Sequence, residues 1–261
     1  MGSNFKFGYN FFNYTPVASS EDTGKPALNL KDYAHLVRHF RTLVKTEVTI
    51  TCNFGSAKTL KGVLLNDVNF TDAYIEGSSN GSSWTYSVHL TITEDKGRKR
   101  YGIYAPLTAF SYQYFRIRIT AQDPVARYPD TALSVFRIGT LCLCQSELEF
   151  TRNPSYPYNR LFLKSEPLIN KFLSGGREKI STGDLIHWEG DFSFDLAEID
   201  VIEDEILEFN AVIDQVDYMV FFENRGNNSK SYLCQKDTIP EINESSNNIM
   251  DTGKFELTEV I

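Results

Sequence analysis

The stretch Tyr114-Phe115-Arg116-Ile117-Arg118-Ile119 decides the fold class of this 261-residue chain. Apolar residues at positions 115, 117 and 119 alternate with Arg116 and Arg118, which is the period of a strand with one buried and one exposed face. The two arginines should therefore project from the outer face of a sheet, where each can pair with a carboxylate or with a ligand.

The segments on either side of this stretch repeat the strand pattern, with turn residues between them. Between residues 45 and 148 no periodicity indicates a helix, and short strands without helices are typical of a β-sandwich or jelly roll. Upstream, residues 29–44 indicate a loop with one or two helical turns, for which Asn29 is a possible cap. The predicted strands are 47–54, 61–65, 72–77, 85–92, 114–119 and 134–143.

One of the turns is specific enough to predict a hairpin. The segment from Tyr74 to Trp84 contains Asn80-Gly81, a pair that favours positive φ in a tight turn. Trp84 then begins the return strand and can cover the end of the hairpin.

The composition changes near residue 150, where Asn153-Pro154-Ser155-Tyr156-Pro157-Tyr158 is typical of a linker. Beyond it, the segment 200–213 predicts one clear helix, with Asp200 as its cap and an apolar stripe at steps of three and four. Strands are predicted at 187–196, 217–222, 230–234 and 254–261. The chain is therefore expected to be mainly β, with a sandwich over 1–148 and a smaller α+β domain over 149–261.

Charge and cysteine content exclude several classes of function. The chain carries 26 Lys+Arg against 34 Asp+Glu, a formal net charge of −8, which argues against binding nucleic acid through a broad basic face. No stretch approaches the roughly 20 apolar residues of a membrane span, and the N-terminus has no secretory pattern. Because cysteines are few, we expect reduced and mostly buried thiols in a protein made in a cytoplasm. The cysteines are Cys52, Cys142, Cys144 and Cys234.

No catalytic set is indicated by the residue types. The chain lacks a serine nucleophile elbow and a glycine-rich phosphate loop, and its acidic run 203–205 is typical of a helix start. Asp32, His35 and His39 have a spacing that a helix could offer to a zinc ion, but partly exposed surface histidines are the simpler interpretation. We therefore expect a non-enzymatic protein without a catalytic metal.

Aromatic residues are concentrated at the N-terminus, where a lone domain would have difficulty covering them. Two interpretations are open: the rings pack against neighbouring subunits in an assembly, or they fold back over the sandwich. These residues are Phe5, Phe7, Tyr9, Phe11, Phe12 and Tyr14.

Several motifs resemble the discoidin (coagulation-factor type C) family, whose domains have the galactose-binding-like fold. They are Ser79-Asn80-Gly81-Ser82-Ser83-Trp84, the strand 114–119, the strand 135–141, and the upstream Ser19-Ser20 and Pro26–Leu30. The resemblance covers about residues 15–147 and implies a jelly-roll sandwich. Ligand loops vary in that family, so it assigns no sugar-binding residue. It also implies a possible structural calcium ion, to which Asp32 could contribute; no other cofactor is expected.

The arrangement of the whole chain resembles virion structural proteins of tailed bacteriophages. The resemblance rests on Phe7-Gly8-Tyr9-Asn10, on the segments 18–20 and 26–32, and on the connector 153–158 before the second domain. It implies a tail, tail-tip or fibre-attachment component located in the virion, made in the host cytoplasm, with other tail subunits or copies of itself as partners and a host glycan as a possible further partner.

Two hypotheses of function follow. The first is a structural phage component acting through protein–protein assembly, and the alternative is a carbohydrate-binding module of bacterial origin. The alternative predicts ligand-binding side chains gathered at one end of the sandwich. The candidates are Trp84, Tyr86, Tyr104, Tyr112, Arg116 and Arg118.

Overall fold

The structure is a computed structural model, and its described residues contain strands almost throughout. They form two compact units, which are Met1–Glu149 with Met219–Leu233 and Phe150–Tyr218 with Cys234–Ile261. The described residues are 6–31, 39–95, 100–126, 134–149, 159–164, 168–171, 177–180, 184–190, 193–195, 204, 207–208, 210–211, 218–222, 231–238, 242–246, 249–252 and 255–259.

The first unit is an antiparallel β-sandwich with one turn of 3₁₀ helix at Ala27–Lys31. Its fold class is the one that the sequence predicts. The strands are β1 (Lys6–Phe11), β2 (Pro16–Ala18), β3 (Phe40–Arg41), β4 (Val48–Val68), β5 (Asp72–Ser78), β6 (Tyr86–Thr91), β7 (Glu94–Asp95), β8 (Arg100–Ile119), β9 (Arg137–Ile138), β10 (Thr140–Glu149) and β16 (Met219–Phe222).

Two long strands build both layers of the sandwich. β4 and β8 pair with each other along their lengths, with register shifts between Asn53 and Lys58 and between Leu60 and Gly62. Gly55 and Ala109 have φ values of 75° and 57° in this stretch. Such bulges bend strands and let them change layers.

Strand pairing defines what each layer contains. The first part of β4 and the last part of β8 form one layer with β2, β5 and β6. The other parts of β4 and β8 form the second layer with β7, β10, β1 and β16. A single apolar core contains side chains of both layers, such as Ile50, Ile75 and Ile117 from the first and Val63, Leu65 and Leu143 from the second.

The predicted faces of the strand 114–119 were right, but the predicted strands were not always right in length. Residues 47–54 and 61–65 belong to one strand, β4, because pairing with β8 resumes at Lys58 after the bend. β8 begins 14 residues before the predicted start at 114. Pro106 lies inside β8 opposite Gly62, next to a register shift, which is a position where a strand tolerates proline. β1 lies in the N-terminal aromatic segment, for which no strand was predicted.

The second unit also consists largely of antiparallel pairs. β11 pairs with β14, β14 with β20, and β20 with residues 234–238 of β17. In the predicted helix 200–213, the described residues 204, 207, 208, 210 and 211 are helical. The strands are β11 (Asn159–Lys164), β12 (Leu168–Lys171), β13 (Arg177–Ile180), β14 (Asp184–Gly190), β15 (Ser193–Asp195), β17 (Ser231–Thr238, of which residues 231–233 belong to the first unit), β18 (Ile242–Ser246), β19 (Ile249–Thr252) and β20 (Phe255–Glu259).

The first unit includes residues from beyond position 149. Met219–Phe222 pairs antiparallel with β1, and its apolar side chains Met219, Val220 and Phe221 are buried. The domain boundary at 148/149 stays a prediction of the sequence.

All four cysteines are buried thiols. Burial raises the pKa of Cys52 to about 12 and also raises the pKa of Cys142 and Cys144, which share one face of β10. Thiols with raised pKa values are poor nucleophiles near neutral pH. Within the described residues, no helix has the length and apolar character to cross a membrane.

Candidate functional site

The candidate site lies on the outer face of the first layer, across β5 and β8. Along β5 the core residues Ala73 and Ile75 alternate with Tyr74 and Glu76, as the core residues of β8 alternate with Arg116 and Arg118. The register places Tyr74 opposite Arg118 and Glu76 opposite Arg116. We call Trp84, Glu76, Arg116, Arg118, Tyr74, His89 and Asp72 the outer-face row.

Glu76 fixes both arginines. One of its carboxylate oxygens accepts a hydrogen bond from Arg116 Nε at 2.7 Å and forms an ion pair with Arg116 Nη2 at 2.6 Å, and the other accepts from Arg118 Nε at 3.2 Å. Its side chain is only 8% exposed, whereas those of Arg116 and Arg118 are 20% and 24% exposed. A carboxylate shielded from water strengthens such charge-assisted bonds, so the guanidinium groups are held in defined positions.

Aromatic rings cover one side of each guanidinium. The Arg116 guanidinium carbon lies 3.9 Å from the centroid of Trp84, and that of Arg118 lies 4.2 Å from the centroid of Tyr74. These distances are well inside the range for cation–π attraction. Tyr74 in turn packs beside His89, with ring centroids 4.8 Å apart.

The row ends at a contact between His89 of β6 and Asp72 of β5. His89 Nε2 lies 2.9 Å from Asp72 Oδ2, and the Thr120 hydroxyl donates to the other Asp72 oxygen at 2.9 Å. The hydrogen bond from His89, with a smaller contribution from Thr120, outweighs desolvation and lowers the pKa of Asp72.

The predicted hairpin positions Trp84. Gly81 has φ 76°, and Ser78 Oγ accepts hydrogen bonds from the backbone N–H groups of Asn80 and Gly81 at 3.2 and 2.9 Å. The Asn80 side chain accepts from the N–H groups of residues 82 and 83. Because the loop satisfies its own backbone groups, it is rigid enough to hold the tryptophan over Arg116.

Tyr86 and Tyr112 lie together but on the inner side of the same layer. Their ring centroids are 5.7 Å apart, and both pack on Phe110 at 5.3 and 5.2 Å. A Cβ atom added at Gly77 would meet Tyr112 at 2.7 Å, so glycine is needed for this approach. Burial raises the pKa of Tyr86. The structure therefore places these two tyrosines at the rim of the core, apart from Trp84 and the arginines.

Tyr104, the remaining ligand candidate, is fully buried in the second layer. Its hydroxyl donates to Glu147, which also pairs with Lys6, and the ring lies directly over Gly62. Desolvation, reinforced by neighbouring Cys144 and Glu147, raises the pKa of Tyr104. A ligand cannot reach this ring from solvent, so Tyr104 is no part of the outer-face row.

The N-terminal aromatic residues fold back over the sandwich to different extents. Phe7 is buried and stacks on Phe221 with centroids 5.3 Å apart, and Tyr14 is buried with its hydroxyl donating to the Leu141 carbonyl at 2.6 Å. Tyr9, Phe11 and Phe12 are half-buried, and Phe5 lies outside the described residues. Phe7 and Tyr14 are thus core residues and not an exposed assembly surface.

The histidine cluster takes a different form from the one its spacing suggested. His39 is buried, and its Nε2 lies 3.3 Å from Arg137 Nη1, while Arg137 Nη2 donates to Asp67 at 2.9 Å. Asp32 and His35 lie outside the described residues. Among the residues that are described, no three metal-ligating side chains are grouped so as to hold an ion.

Only part of the outer-face row was predicted from the sequence. Trp84, Arg116 and Arg118 were candidate ligand-binding residues, whereas Tyr74, Glu76, Asp72 and His89 were not. The alternation of residue types along 72–77 could have identified Tyr74 and Glu76 as outward-facing side chains. Which residues of the neighbouring strand they meet depends on the register between the strands, which the alternation does not determine.

Several solved structures that this chain resembles are carbohydrate-binding modules or lectin domains. The lectin domain of lectinolysin, complexed with Lewis b antigen, has 12% identity and a TM-score of 0.37, with 51% of this chain and 94% of that chain covered. Chitosan-binding module 1 of a chitosanase/glucanase from Paenibacillus sp. IK-5 has 20% identity and a TM-score of 0.39, with 52% and 98% covered. A fucose-binding module of Streptococcus pneumoniae has 7% identity and a TM-score of 0.40, with 53% and 96% covered.

At these identities and TM-scores the likeness assigns neither a ligand nor an activity to this chain. No protein-family model matches it. No curated protein matches it either.

Proposed function

We propose that this chain is a non-catalytic glycan-binding protein and that its outer-face row contacts the sugar. The observation that carries the proposal is the pair of partly exposed arginines, each stacked on an aromatic ring and both held by Glu76. Sugar hydroxyls need donors and acceptors in fixed positions, and the C–H groups of a sugar ring pack on aromatic surfaces. The row offers both kinds of contact.

The arginines keep hydrogen-bond donors for a ligand. A guanidinium carries five N–H groups, and Arg116 uses only Nε and Nη2 towards Glu76. Because Glu76 and the rings fix these side chains beforehand, little side-chain entropy is lost when a sugar binds.

The balance of charge in the row favours a neutral glycan. Arg116 pairs with Glu76, Arg118 pairs with both Glu76 and Glu47, and His89 pairs with Asp72. An anionic sugar would compete with Glu76 and Glu47 for the guanidinium groups and leave those carboxylates less well paired. A neutral sugar can add hydrogen bonds without breaking these pairs.

The proposal is tested with the purified full-length chain on a glycan array, followed by calorimetry on the glycan that binds. Trp84→Ala should weaken binding at least about tenfold, since it removes the ring that holds Arg116. The bound glycan should be recovered unchanged. Arg41→Lys is the matched control, because Arg41 also pairs with a carboxylate, Asp22, but away from the row.

Two results would contradict the proposal: no glycan retained by the wild-type chain, or equal binding by wild type and Trp84→Ala. Equal loss in Arg41→Lys and Trp84→Ala would also contradict it, because the effect would then be unrelated to the row.

The structural role in a phage virion, with tail subunits or further copies of this chain as partners, finds no support in the comparisons and stays a prediction. Imaging by negative stain distinguishes the two roles. Rings or fibres that form without sugar binding would favour assembly, whereas a monomeric particle that binds sugar favours the function proposed here.

A further inference from the structure

A cleft of about 250 Å³ opens in the first unit between the segment that follows β1 and the 3₁₀ helix. Leu141 and Leu143 of β10 line it, together with Phe11, Phe12 and Lys31. These residues belong neither to the outer-face row nor to the aromatic rim of Tyr86 and Tyr112.

Backbone and side-chain hydrogen bonds hold the cleft in shape. The Phe12 N–H donates to the Leu143 carbonyl at 2.8 Å, and the buried Tyr14 hydroxyl donates to the Leu141 carbonyl at 2.6 Å. The segment 12–14 is therefore tied to β10 at two points, so the cleft is a fixed part of the sandwich.

The aromatic wall is fixed as well. Phe12 is half-buried and packs edge-on against Phe54 with centroids 4.7 Å apart, and the ammonium group of Lys58 lies 5.7 Å from its ring centroid. Phe11 is also half-buried. The two phenylalanines give the cleft apolar surface that a flat ring can contact.

Positive charge at the cleft comes from Lys31. Its ammonium group donates to Asn13 Oδ1 at 3.1 Å, and among the described residues it makes no ion pair with a carboxylate. An ammonium group has three N–H donors, which leaves donors for a ligand.

We propose that this cleft binds a carboxylate attached to a single ring. The carboxylate takes the remaining Lys31 donors, and the ring packs on Phe11 and Phe12. The volume is below the roughly 300–1,000 Å³ of pockets for drug-sized ligands, so it suits one ring and not a chain of rings. Acidic monosaccharides and aromatic acids share this chemistry.

The test uses the full-length chain, with D-glucuronate and benzoate as probes and D-glucose as the uncharged comparison, followed by two-dimensional NMR titration. At least one carboxylate should bind saturably and shift the amide signals around Lys31 and Phe12, while glucose leaves them in place. Lys31→Gln should weaken the binding at least about tenfold, because it removes a charge-assisted hydrogen bond. Lys31→Arg should restore most of it.

The controls separate this site from the rest of the surface. Lys45→Gln removes an exposed lysine that pairs with Asp123 and should leave carboxylate binding unchanged. The amide signals of Trp84 and Arg116 in the outer-face row are followed in the same titration, so failure at the cleft and failure of the glycan-binding row are distinguishable. The proposal is overturned if neither carboxylate binds, or if Lys31→Gln, with an unchanged melting temperature, binds as well as wild type.

Discussion

Two arginine–carboxylate pairs in the first unit have similar geometry but opposite surroundings. Arg116 and Glu76 lie on the outer face with a closest N–O distance of 2.6 Å and side chains 20% and 8% exposed. Arg137 and Asp67 lie in the core at 2.9 Å, with side chains 1% and 3% exposed. Breaking the buried pair removes charge compensation from groups that are shielded from water, whereas the outer pair can also serve a ligand.

The largest expected effect is on the buried pair. Asp67 has φ 58°, a conformation that asparagine tolerates, so Asp67→Asn removes the charge and preserves the backbone. Loss of the carboxylate takes an ion-pair partner from the buried Arg137 guanidinium, and we expect the free energy of unfolding in urea to fall by about 3–5 kcal/mol. Asp22→Asn, at the partly exposed pair with Arg41, is the control and should change stability much less. Equal effects in the two variants would show that burial does not separate these pairs.

A smaller loss of stability is expected at the outer pair. Glu76→Gln removes the carboxylate from two arginines at once, and we expect a cost of about 2 kcal/mol because the guanidinium groups retain contact with water. The same variant should also bind glycan more weakly, since Arg116 and Arg118 are no longer held in fixed positions by the Glu76 carboxylate. Urea unfolding and calorimetry on the same sample measure both effects. If Glu76→Gln lost as much stability as Asp67→Asn, the expected difference between the outer pair and the buried pair would be contradicted.

Arg116→Lys should affect binding but hardly stability. Lysine keeps the charge but lacks the planar group that stacks on Trp84 and bonds Glu76 through two nitrogens. We expect glycan binding to weaken about tenfold while the free energy of unfolding changes by less than about 1 kcal/mol. Unchanged binding would show that charge alone, and not the shape of the guanidinium, is what the row uses.

The smallest effect concerns acid pH. The hydrogen bond from His89 lowers the pKa of Asp72 in the folded chain, so this pair stabilises the fold above the unfolded value of about 3.9 and loses that contribution as pH falls through the lower folded value. The two side chains are 48% and 41% exposed, so the contribution should be below about 1 kcal/mol and smaller in high salt. Asp72→Asn should flatten this part of a stability–pH profile below about pH 4. If the stability–pH profile of Asp72→Asn were identical to that of the wild type, the proposed contribution of the His89–Asp72 pair would be contradicted.

The sequence predicts what lies on each face of a strand better than which strands meet. Alternation in 114–119 identified Arg116 and Arg118 as outward side chains, and the structure confirms this. Their common partner Glu76 comes from β5, and only the register between the two strands reveals it.

Tyr104 shows the opposite case. No strand was predicted for its segment, but β8 enters the second layer there, and the consecutive residues Ile103, Tyr104 and Ala105 are all buried. Gly8 and Gly62 leave the space that the buried ring fills. Which layer a strand occupies depends on bends such as those near Gly55 and Ala109, and a short window of sequence does not contain them.

The continuity of β4 and β8 has a consequence for how the first unit comes apart. Because the same two strands run through both layers, the layers cannot separate while the ladder between these strands remains intact. Amides at both ends of the ladder, such as those of Ile50 and Leu64, should therefore exchange their hydrogens with deuterium only in the same global opening event. In such a sandwich, the amides of both layers lose their protection from hydrogen exchange together, and neither layer is stable without the other.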